Sequence, residues 1–200
     1  ETSKTSKKGV YTGAPIRKCF KNANKQNAIN QIKGYDINKK TIVVIGGSLG
    51  SKNLNSAIKT SLKDLQNYNI VHIVGKNNLD SKKTFTNYTQ LEYAPNIADF
   101  FDLADVVITR GGSNAIFELL YMHKNMIIVP LGRQESRGDQ LDNARIFKQN
   151  GWASVILEEN LTPLTLKQEI ENLLKQKTNK NIPQISGNEN ILNIIKRYIK

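Results

Sequence analysis

Cysteine and histidine are scarce in this chain. Its 200 residues include one cysteine, Cys19, and two histidines, His72 and His123. A single cysteine excludes a disulfide framework and a zinc site built from cysteine pairs. Two histidines so far apart make a histidine-based metal site or a Ser-His-Asp triad difficult to build. His72, inside an apolar run, is predicted to be a hydrogen-bonded core residue, and His123 is expected to complement the dipole at a helix end.

Long apolar runs are also missing. No stretch approaches the roughly 20 apolar residues that a membrane-spanning helix requires. A chain of 200 residues is long enough for one well-buried domain but not for two large ones.

The net charge of +12 is concentrated at the two ends of the chain. Residues 1–40 carry ten basic and two acidic side chains, and residues 175–200 carry six and one, whereas the middle is nearly neutral. Nucleic-acid grooves place their positive charge on a folded face with aromatic residues interleaved. We therefore expect no nucleic-acid partner, and instead solvated tails or attraction to an anionic membrane surface.

Short β-branched apolar runs alternate with segments of helical periodicity. The runs predict strands at residues 41–45, 70–74, 91–94, 106–109, 126–130 and 153–157. Helical spacing predicts helices at residues 54–65, 97–103, 113–120, 140–149 and 163–174, with a weaker helix at 24–33 and a further strand at 9–12. This alternation is typical of βαβ units, so the predicted fold class is α/β with a doubly wound parallel sheet.

The composition divides the chain into four segments. Residues 1–8 are a polar tail, residues 9–176 one domain, residues 177–189 a polar linker and residues 190–200 a final helix. Four isoleucines and Tyr198 form one stripe of that helix, so we expect it to dock on this domain or on another half of the protein.

Three segments follow predicted strands and are equipped to bind a ligand, because ligands of doubly wound sheets bind beyond the carboxyl ends of the strands. The first, GGSLGS at 46–51, matches neither a dinucleotide fingerprint nor a P-loop, since no lysine directly follows its last glycine as a P-loop requires. Its amides and the Ser48 hydroxyl can cradle a phosphate. The alternative is a tight turn between strand and helix.

The second segment, residues 110–118, and the third, residues 131–143, carry the polar side chains. Ser113 can cap a helix after Gly111-Gly112, and Glu118 lies about one turn along it, an arrangement suited to the diphosphate and ribose of a nucleotide. The alternative is a Gly-rich turn with one solvated carboxylate. In the third segment, Gln140 and Asn143 could bond sugar hydroxyls or simply belong to a helix start.

The motifs together resemble a known family. TIVVIGGSLGSKNLN, HIVGK, ADVVITRGGSNAIFELL, MIIVPLG and SRGDQLDNARIF are similar to the donor half of the MurG-type N-acetylglucosaminyltransferases, which convert lipid I to lipid II in peptidoglycan synthesis. TGAPIR at 12–17 resembles the segment that precedes that half. The resemblance extends from about residue 9 to about residue 175, and it implies the Rossmann-like half of a GT-B transferase that binds UDP-GlcNAc.

The resemblance also implies eleven contact residues. The residues expected around the nucleotide are Gly47 and Ser48 at the diphosphate, Ala94 at the uracil, Gly112, Ser113, Asn114 and Ala115 in the turn, and Glu118 at the ribose hydroxyls. Those expected elsewhere are Asp139 and Gln140 at the GlcNAc hydroxyls and Arg17 near the inter-domain cleft. The sequence departs from the family's common pattern at Gly111 and Asn114.

Further expectations concern what the rest of such an enzyme supplies. The resemblance implies no cofactor and no divalent metal, and a catalytic base on a preceding half that also binds the lipid-linked acceptor. We expect the chain to be part of a longer protein, or a stand-alone donor-binding subunit with a membrane-anchored partner. The expected location is the cytoplasmic face of the cell membrane, as a peripheral protein.

Two other functions remain open from the sequence. One is the donor half of a related glycolipid glycosyltransferase that uses another UDP-sugar. The other is a non-catalytic α/β interaction module, in which the basic ends bind a membrane or an acidic partner.

Overall fold

A computed structural model describes residues 9–80, 85–132, 138–176, 182–183 and 185–199. Six parallel strands form one sheet in the order β3-β2-β1-β4-β5-β6. The strands are β1 (Thr41–Ile45), β2 (Asn69–Ile73), β3 (Tyr88–Leu91), β4 (Val106–Thr109), β5 (Asn125–Ile128) and β6 (Ser154–Val155). This order is that of a Rossmann-like sheet, so the predicted doubly wound fold is confirmed.

The described part of the chain contains seven α-helices. They are α1 (Lys25–Ile29), α2 (Lys52–Ser61), α3 (Ile97–Leu103), α4 (Ser113–Tyr121), α5 (Asp139–Gln149), α6 (Pro163–Lys175) and α7 (Asn188–Tyr198). Short 3₁₀ helices occupy Lys18–Lys21 and Glu158–Asn160.

Alternate residues of the strands feed two separate apolar layers. In β1, Ile42 and Val44 pack with α2 and α6, whereas Val43 packs with α1, α3, α4 and α5 on the opposite face. All three side chains are fully buried. Because both faces of the sheet are covered by helices, its central strands β1 and β4 are continuous β-branched runs, as buried parallel strands require.

Helix starts follow ordinary capping chemistry, with one difference from expectation. Ser51 caps α2 by accepting a hydrogen bond from Leu54 N at 3.3 Å, and Thr162 caps α6, which begins with Pro163. The prediction that Ser113 caps α4 is wrong, since Gly112 occupies the cap position and Ser113 is the first helical residue. The α4 amides therefore face the neighbouring turn without a capping side chain.

Other boundaries differ from the predicted ones. The expected strand at residues 9–12 is wrong, because this segment lies outside the sheet and only Ala14 forms a bridge, with Ser186. A side chain at Gly13 would approach Ile185 O to 2.7 Å, so the close pairing depends on that glycine. The strand expected at 91–94 instead spans Tyr88–Leu91. The sequence pattern did not indicate these bounds, because three of the four residues are polar.

The C-terminal helix buries none of its apolar stripe fully, and three of the five stripe residues are exposed. It begins at Asn188, within the stretch predicted as linker, and contains no buried residue. Asn188 ties its start to the backbone of Ile16 through hydrogen bonds of 2.8 and 2.7 Å. Ile195, Tyr198 and Ile199 are exposed. The predicted division into tail, domain, linker and docking helix remains a prediction, and residues 1–8 and most of 177–184 lie outside the described residues.

His72 is a core histidine, as predicted. Its ring is fully buried on β2, with Nδ1 2.9 Å from Tyr88 Oη and Nε2 3.0 Å from Asn55 Oδ1. The amide oxygen of Asn55 can only accept, so Nε2–H donates to it and Nδ1 accepts from the tyrosine hydroxyl. Burial is the largest cause that lowers the pKa of His72, to about 3, and the positive charge of Lys59 adds to it.

This burial predicts acid sensitivity. Above the unfolded pKa of about 6.5, His72 is neutral in both states, and its contribution to stability is complete. Between about pH 6.5 and 3 the unfolded chain binds a proton that the folded chain does not. As the pH is lowered across this range, we expect the free energy of unfolding, measured by urea titration, to fall. The contribution of His72 to this fall is up to about 1.4 kcal/mol per pH unit.

The substitution His72→Gln should reduce the pH slope, although it lowers stability at neutral pH. The exposed His123, which has a positive φ that asparagine tolerates, offers the control His123→Asn. An unchanged slope in His72→Gln would contradict the assignment of the acid sensitivity to this residue.

Candidate functional site

The sheet reverses its order between β1 and β4, which are hydrogen-bonded neighbours. The chain leaves β1 toward α2 on one face of the sheet and leaves β4 toward α4 on the other face. A crevice therefore opens between the turn after β1 and the turn after β4. Both turns were selected from the sequence as candidate ligand segments.

Close backbone contacts fix the turn after β1. A Cβ atom at Gly50 would lie 2.0 Å from Val74 O, and Gly50 has a φ of 76°. Asn78 donates to Leu49 O at 3.2 Å, and Asn55 donates to Val74 O at 2.9 Å. The turn is thus held against the end of β2. At its tip, a Cβ at Gly47 would meet no atom of the described residues within 4 Å, so the tip faces open space between them.

Helix α5 holds the turn after β4. Gly111 has a φ of 85°, and a Cβ there would approach Ile128 Cγ2 to 2.7 Å. The side-chain amide of Asn143 donates to Gly111 O at 3.0 Å. This contact explains the polar residue at 143 as a support of the turn. Gly112 beside it faces open space, which leaves the start of α4 accessible.

A cavity of about 610 Å³ lies beside these turns. We call it the Glu118 cavity. It brings together ten of the eleven residues that the resemblance implies: Arg17, Gly47, Ser48, Ala94, Gly112, Ser113, Asn114, Ala115, Glu118 and Asp139. These residues come from five separate stretches of the sequence, so their convergence is a property of the fold.

The carboxylate of Glu118 is buried and paired with Arg17. Arg17 Nε and Nη2 lie 2.6 and 2.9 Å from the two carboxylate oxygens. The side chain of Glu118 is 3% exposed, whereas that of Arg17 is 58% exposed and lies over the Phe20 ring. The hydrogen bond to Glu118 is the main cause that raises the pKa of Arg17. Arg17 therefore neutralises a buried carboxylate from its solvent side.

A second cavity, of about 430 Å³, adjoins the first. We call it the Arg110 cavity. The two share Ile45, Gly47, Gly112 and Ala115 in their linings. Gln140, the eleventh implied residue, lines this second cavity, and its Oε1 accepts from Leu131 N at 3.0 Å. Gln140 thus lines the adjoining cavity and not the Glu118 cavity.

Among the residues that line these cavities, Tyr93 and Arg110 receive no role from the sequence, although Arg110 begins the second candidate segment at 110–118. Tyr93 lines the Glu118 cavity and is 69% exposed. Arg110 lines the second cavity and is 4% exposed. The signal available for Arg110 was its place directly after a buried strand, where a charged residue needs a partner.

Neither histidine belongs to these cavities. His72 is enclosed by its two partners, and His123 lines another cavity with Asn125 and Ser154, which begin strands β5 and β6. Within the described ranges, no group of three or more His, Cys, Asp or Glu side chains could hold a metal ion. No helix among those residues is long and apolar enough to cross a membrane.

Comparison with known proteins identifies the class. The profile of the glycosyltransferase family 28 C-terminal domain matches residues 41–198. The chain therefore belongs to this family, and the crevice between the two glycine turns is the candidate ligand site of this domain.

The curated relatives are more specific. The chain is 43% identical over 173 residues to the UDP-N-acetylglucosamine--N-acetylmuramyl-(pentapeptide) pyrophosphoryl-undecaprenol N-acetylglucosamine transferases of Staphylococcus aureus strains JH9 and Newman. The match covers 86% of this chain and 48% of those proteins, so the chain spans about half the length of these relatives.

Solved structures share the fold. The crystal structure of MurG from Acinetobacter baumannii matches with a TM-score of 0.70 and 20% identity, over 96% of this chain and 58% of that one. The glycotransferase of kitacinnamycin matches with a TM-score of 0.68 and 20% identity, over 81% and 43%. The shared architecture is the Rossmann-like half of a GT-B transferase.

The backbone contact at Gly50 leads to a prediction. Gly50→Ala should lower the free energy of unfolding by about 2 kcal/mol or more, because the new methyl group meets a backbone carbonyl at a strained φ. Gly132→Ala is the control, since its Cβ would meet nothing within 4 Å in the part of the chain that the structure describes, and it should change stability by about 0.5 kcal/mol or less. Urea unfolding of both variants checks this, and equal stabilities would contradict the tight packing of the turn.

Proposed function

We propose that this chain is the UDP-GlcNAc-binding half of an inverting N-acetylglucosaminyltransferase that converts lipid I to lipid II. The observation that carries the proposal is the buried Glu118 carboxylate, which faces a cavity between two glycine turns at the strand-order reversal. The names of the Staphylococcus aureus relatives, which include both this donor and its lipid-linked acceptor, support the same function.

Glu118 is suited to hold the ribose. A carboxylate offers about four lone-pair sites, and Arg17 occupies two of them. Two vicinal ribose hydroxyls can donate to the remaining sites. The Arg17 guanidinium bonds both carboxylate oxygens from one side, and hydroxyl donors on the cavity side can add charge-assisted hydrogen bonds.

The diphosphate is suited to the space between the two turns. Gly47 and Gly112 both face open space, and the amides at the start of α4 lack a capping side chain. A helix N-terminus and glycine amides together favour an anion. During transfer these dipoles would stabilise the departing UDP without a divalent metal. Ala94, 6% exposed on the wall of the Glu118 cavity, is placed to border the uracil.

The sugar is proposed to lie toward Asp139 and Gln140, at the start of α5. A few hydroxyl contacts there decide between UDP-GlcNAc and another UDP-sugar, so a related glycolipid transferase is the alternative within the same class. The catalytic base and the acceptor site are proposed to lie on the other half of the enzyme, at the cytoplasmic face of the membrane.

The ribose assignment predicts the effect of Glu118 substitutions. A hydrogen bond to a charged group contributes roughly 1.5–3 kcal/mol, so the loss of even one of the two hydroxyl contacts in Glu118→Ala should weaken UDP binding by at least about 10- to 100-fold in calorimetry. Glu118→Gln keeps the shape of the side chain and one acceptor oxygen, so its UDP affinity should lie between those of the wild type and Glu118→Ala. Unchanged affinity in the alanine variant would place the ribose elsewhere.

Two controls accompany this measurement. Glu189→Ala removes an exposed carboxylate on α7 and should leave UDP affinity unchanged. Urea unfolding of Glu118→Ala verifies that the fold persists. If the wild-type chain itself binds no UDP, the proposal fails in favour of a non-catalytic interaction module.

The basic ends predict a salt-dependent membrane interaction. In the described residues, Lys196 and Arg197 lie in the last turn of α7, beside the exposed Tyr198 and Ile199. Co-sedimentation with vesicles that contain anionic lipid should exceed that with neutral vesicles, and should weaken as salt shortens the Debye length to about 8 Å at physiological strength. Equal binding to neutral vesicles would contradict an electrostatic attraction.

A further inference from the structure

Arg110 is a buried cation whose hydrogen bonds are incomplete. It follows β4 directly, and its side chain is 5% exposed. Nη1 donates to Glu158 Oε1 at 2.6 Å. Among the residues that the structure describes, the buried Nε and Nη2 atoms have no hydrogen-bond partner. A guanidinium has five N–H donors, so most of its bonding capacity is unused although the group is removed from water.

The ion pair with Glu158 offsets only part of the cost of this burial. Taking a charge out of water is repaid when a partner and further hydrogen bonds satisfy it. Glu158 is 18% exposed, so water reaches the anion more readily than the cation. The cation is therefore the less satisfied member of the pair. Another negative charge nearby would stabilise it.

The position of Arg110 indicates where that charge would come from. Arg110 lines the second cavity together with Gly46, Gly47, Gly112 and Gln140. This cavity meets the Glu118 cavity at the two glycine turns. A nucleoside diphosphate with its ribose at Glu118 and its first phosphate at the turns would extend its second phosphate toward Arg110.

We propose that Arg110 determines the preference of this site for a diphosphate over a monophosphate, a role that rests on the proposed function. Its unpaired nitrogens are buried, so the group acts through its charge across the cavity wall. Low local polarity makes such an interaction stronger than it would be in water. Arg110 is thus a specificity-determining residue for the second phosphate.

The test compares UDP and UMP by calorimetry. In Arg110→Met we expect UDP affinity to fall about tenfold, and UMP affinity to change far less, because UMP lacks the second phosphate. Arg110→Lys keeps the charge and should retain most of the preference for UDP. If this preference is unchanged in Arg110→Met, the proposal is overturned.

Glu158→Gln separates charge from structure. This substitution removes the negative charge of the Arg110–Glu158 ion pair and keeps the positive one. The amide oxygen of the new glutamine can still accept a hydrogen bond from Arg110. If the charge of Arg110 attracts the second phosphate, UDP affinity should be equal or higher in this variant. If the pair only holds the fold, both variants should weaken UDP and UMP alike. Glu159→Ala, an exposed neighbour, is the matched control.

The wild-type result keeps the two proposals distinguishable. If the wild-type chain binds neither UDP nor UMP, the proposed function fails. If it binds both with the same affinity, the proposal for Arg110 fails while the nucleotide site stands. Should Arg110→Met not fold, Arg110→Lys and Glu158→Gln still decide the question, since a fall in UDP affinity in Glu158→Gln contradicts the role of charge.

Discussion

Backbone hydrogen bonds hold β1 in register between β2 and β4, and this pairing determines where the ligand groups can meet. Since α2 packs on one face of the sheet and α4 on the other, the chain must leave the two central strands in opposite directions. The crevice is the geometric result of that divergence. Each turn at its rim depends on glycine, because Gly50 and Gly111 have positive φ values and closely packed neighbours. The apolar layers and the open crevice thus come from the same topology.

The sequence predicts those parts of the fold that depend on local pattern. The strands at 41–45 and 106–109 and the helix at 97–103 were placed correctly, because continuous β-branched runs and helical spacing are strong local signals. The strand at Tyr88–Leu91 has mostly polar side chains, and what makes it a strand is its pairing with β2. The strand predicted at 9–12 is wrong for the opposite reason: the local pattern suits a strand, but no strand of the sheet pairs with this segment.

The candidate site shows the same division between local and long-range information. The resemblance implied Arg17 and Glu118 as separate contacts, one at a cleft and one at the ribose. Their bidentate pairing joins residues 101 positions apart, so no spacing rule could predict it. The pair of Arg110 and Glu158 spans 48 positions and is equally invisible in the sequence. Local pattern locates the turns that carry these residues, whereas the identity of each partner depends on how the strands are ordered.

The two ion pairs have opposite polarity toward the crevice. In the first pair the anion, Glu118, is buried and its cation is exposed; in the second the cation, Arg110, is buried and its anion is the more exposed member. One cavity therefore offers a buried acceptor and the adjoining one a buried positive charge. Hydroxyl donors favour the first and phosphate oxygens favour the second. A nucleoside diphosphate carries hydroxyls at one end and phosphates at the other. The two ion pairs would therefore orient it with its ribose at Glu118 and its second phosphate at Arg110, so that a sugar on that phosphate would lie toward Gln140.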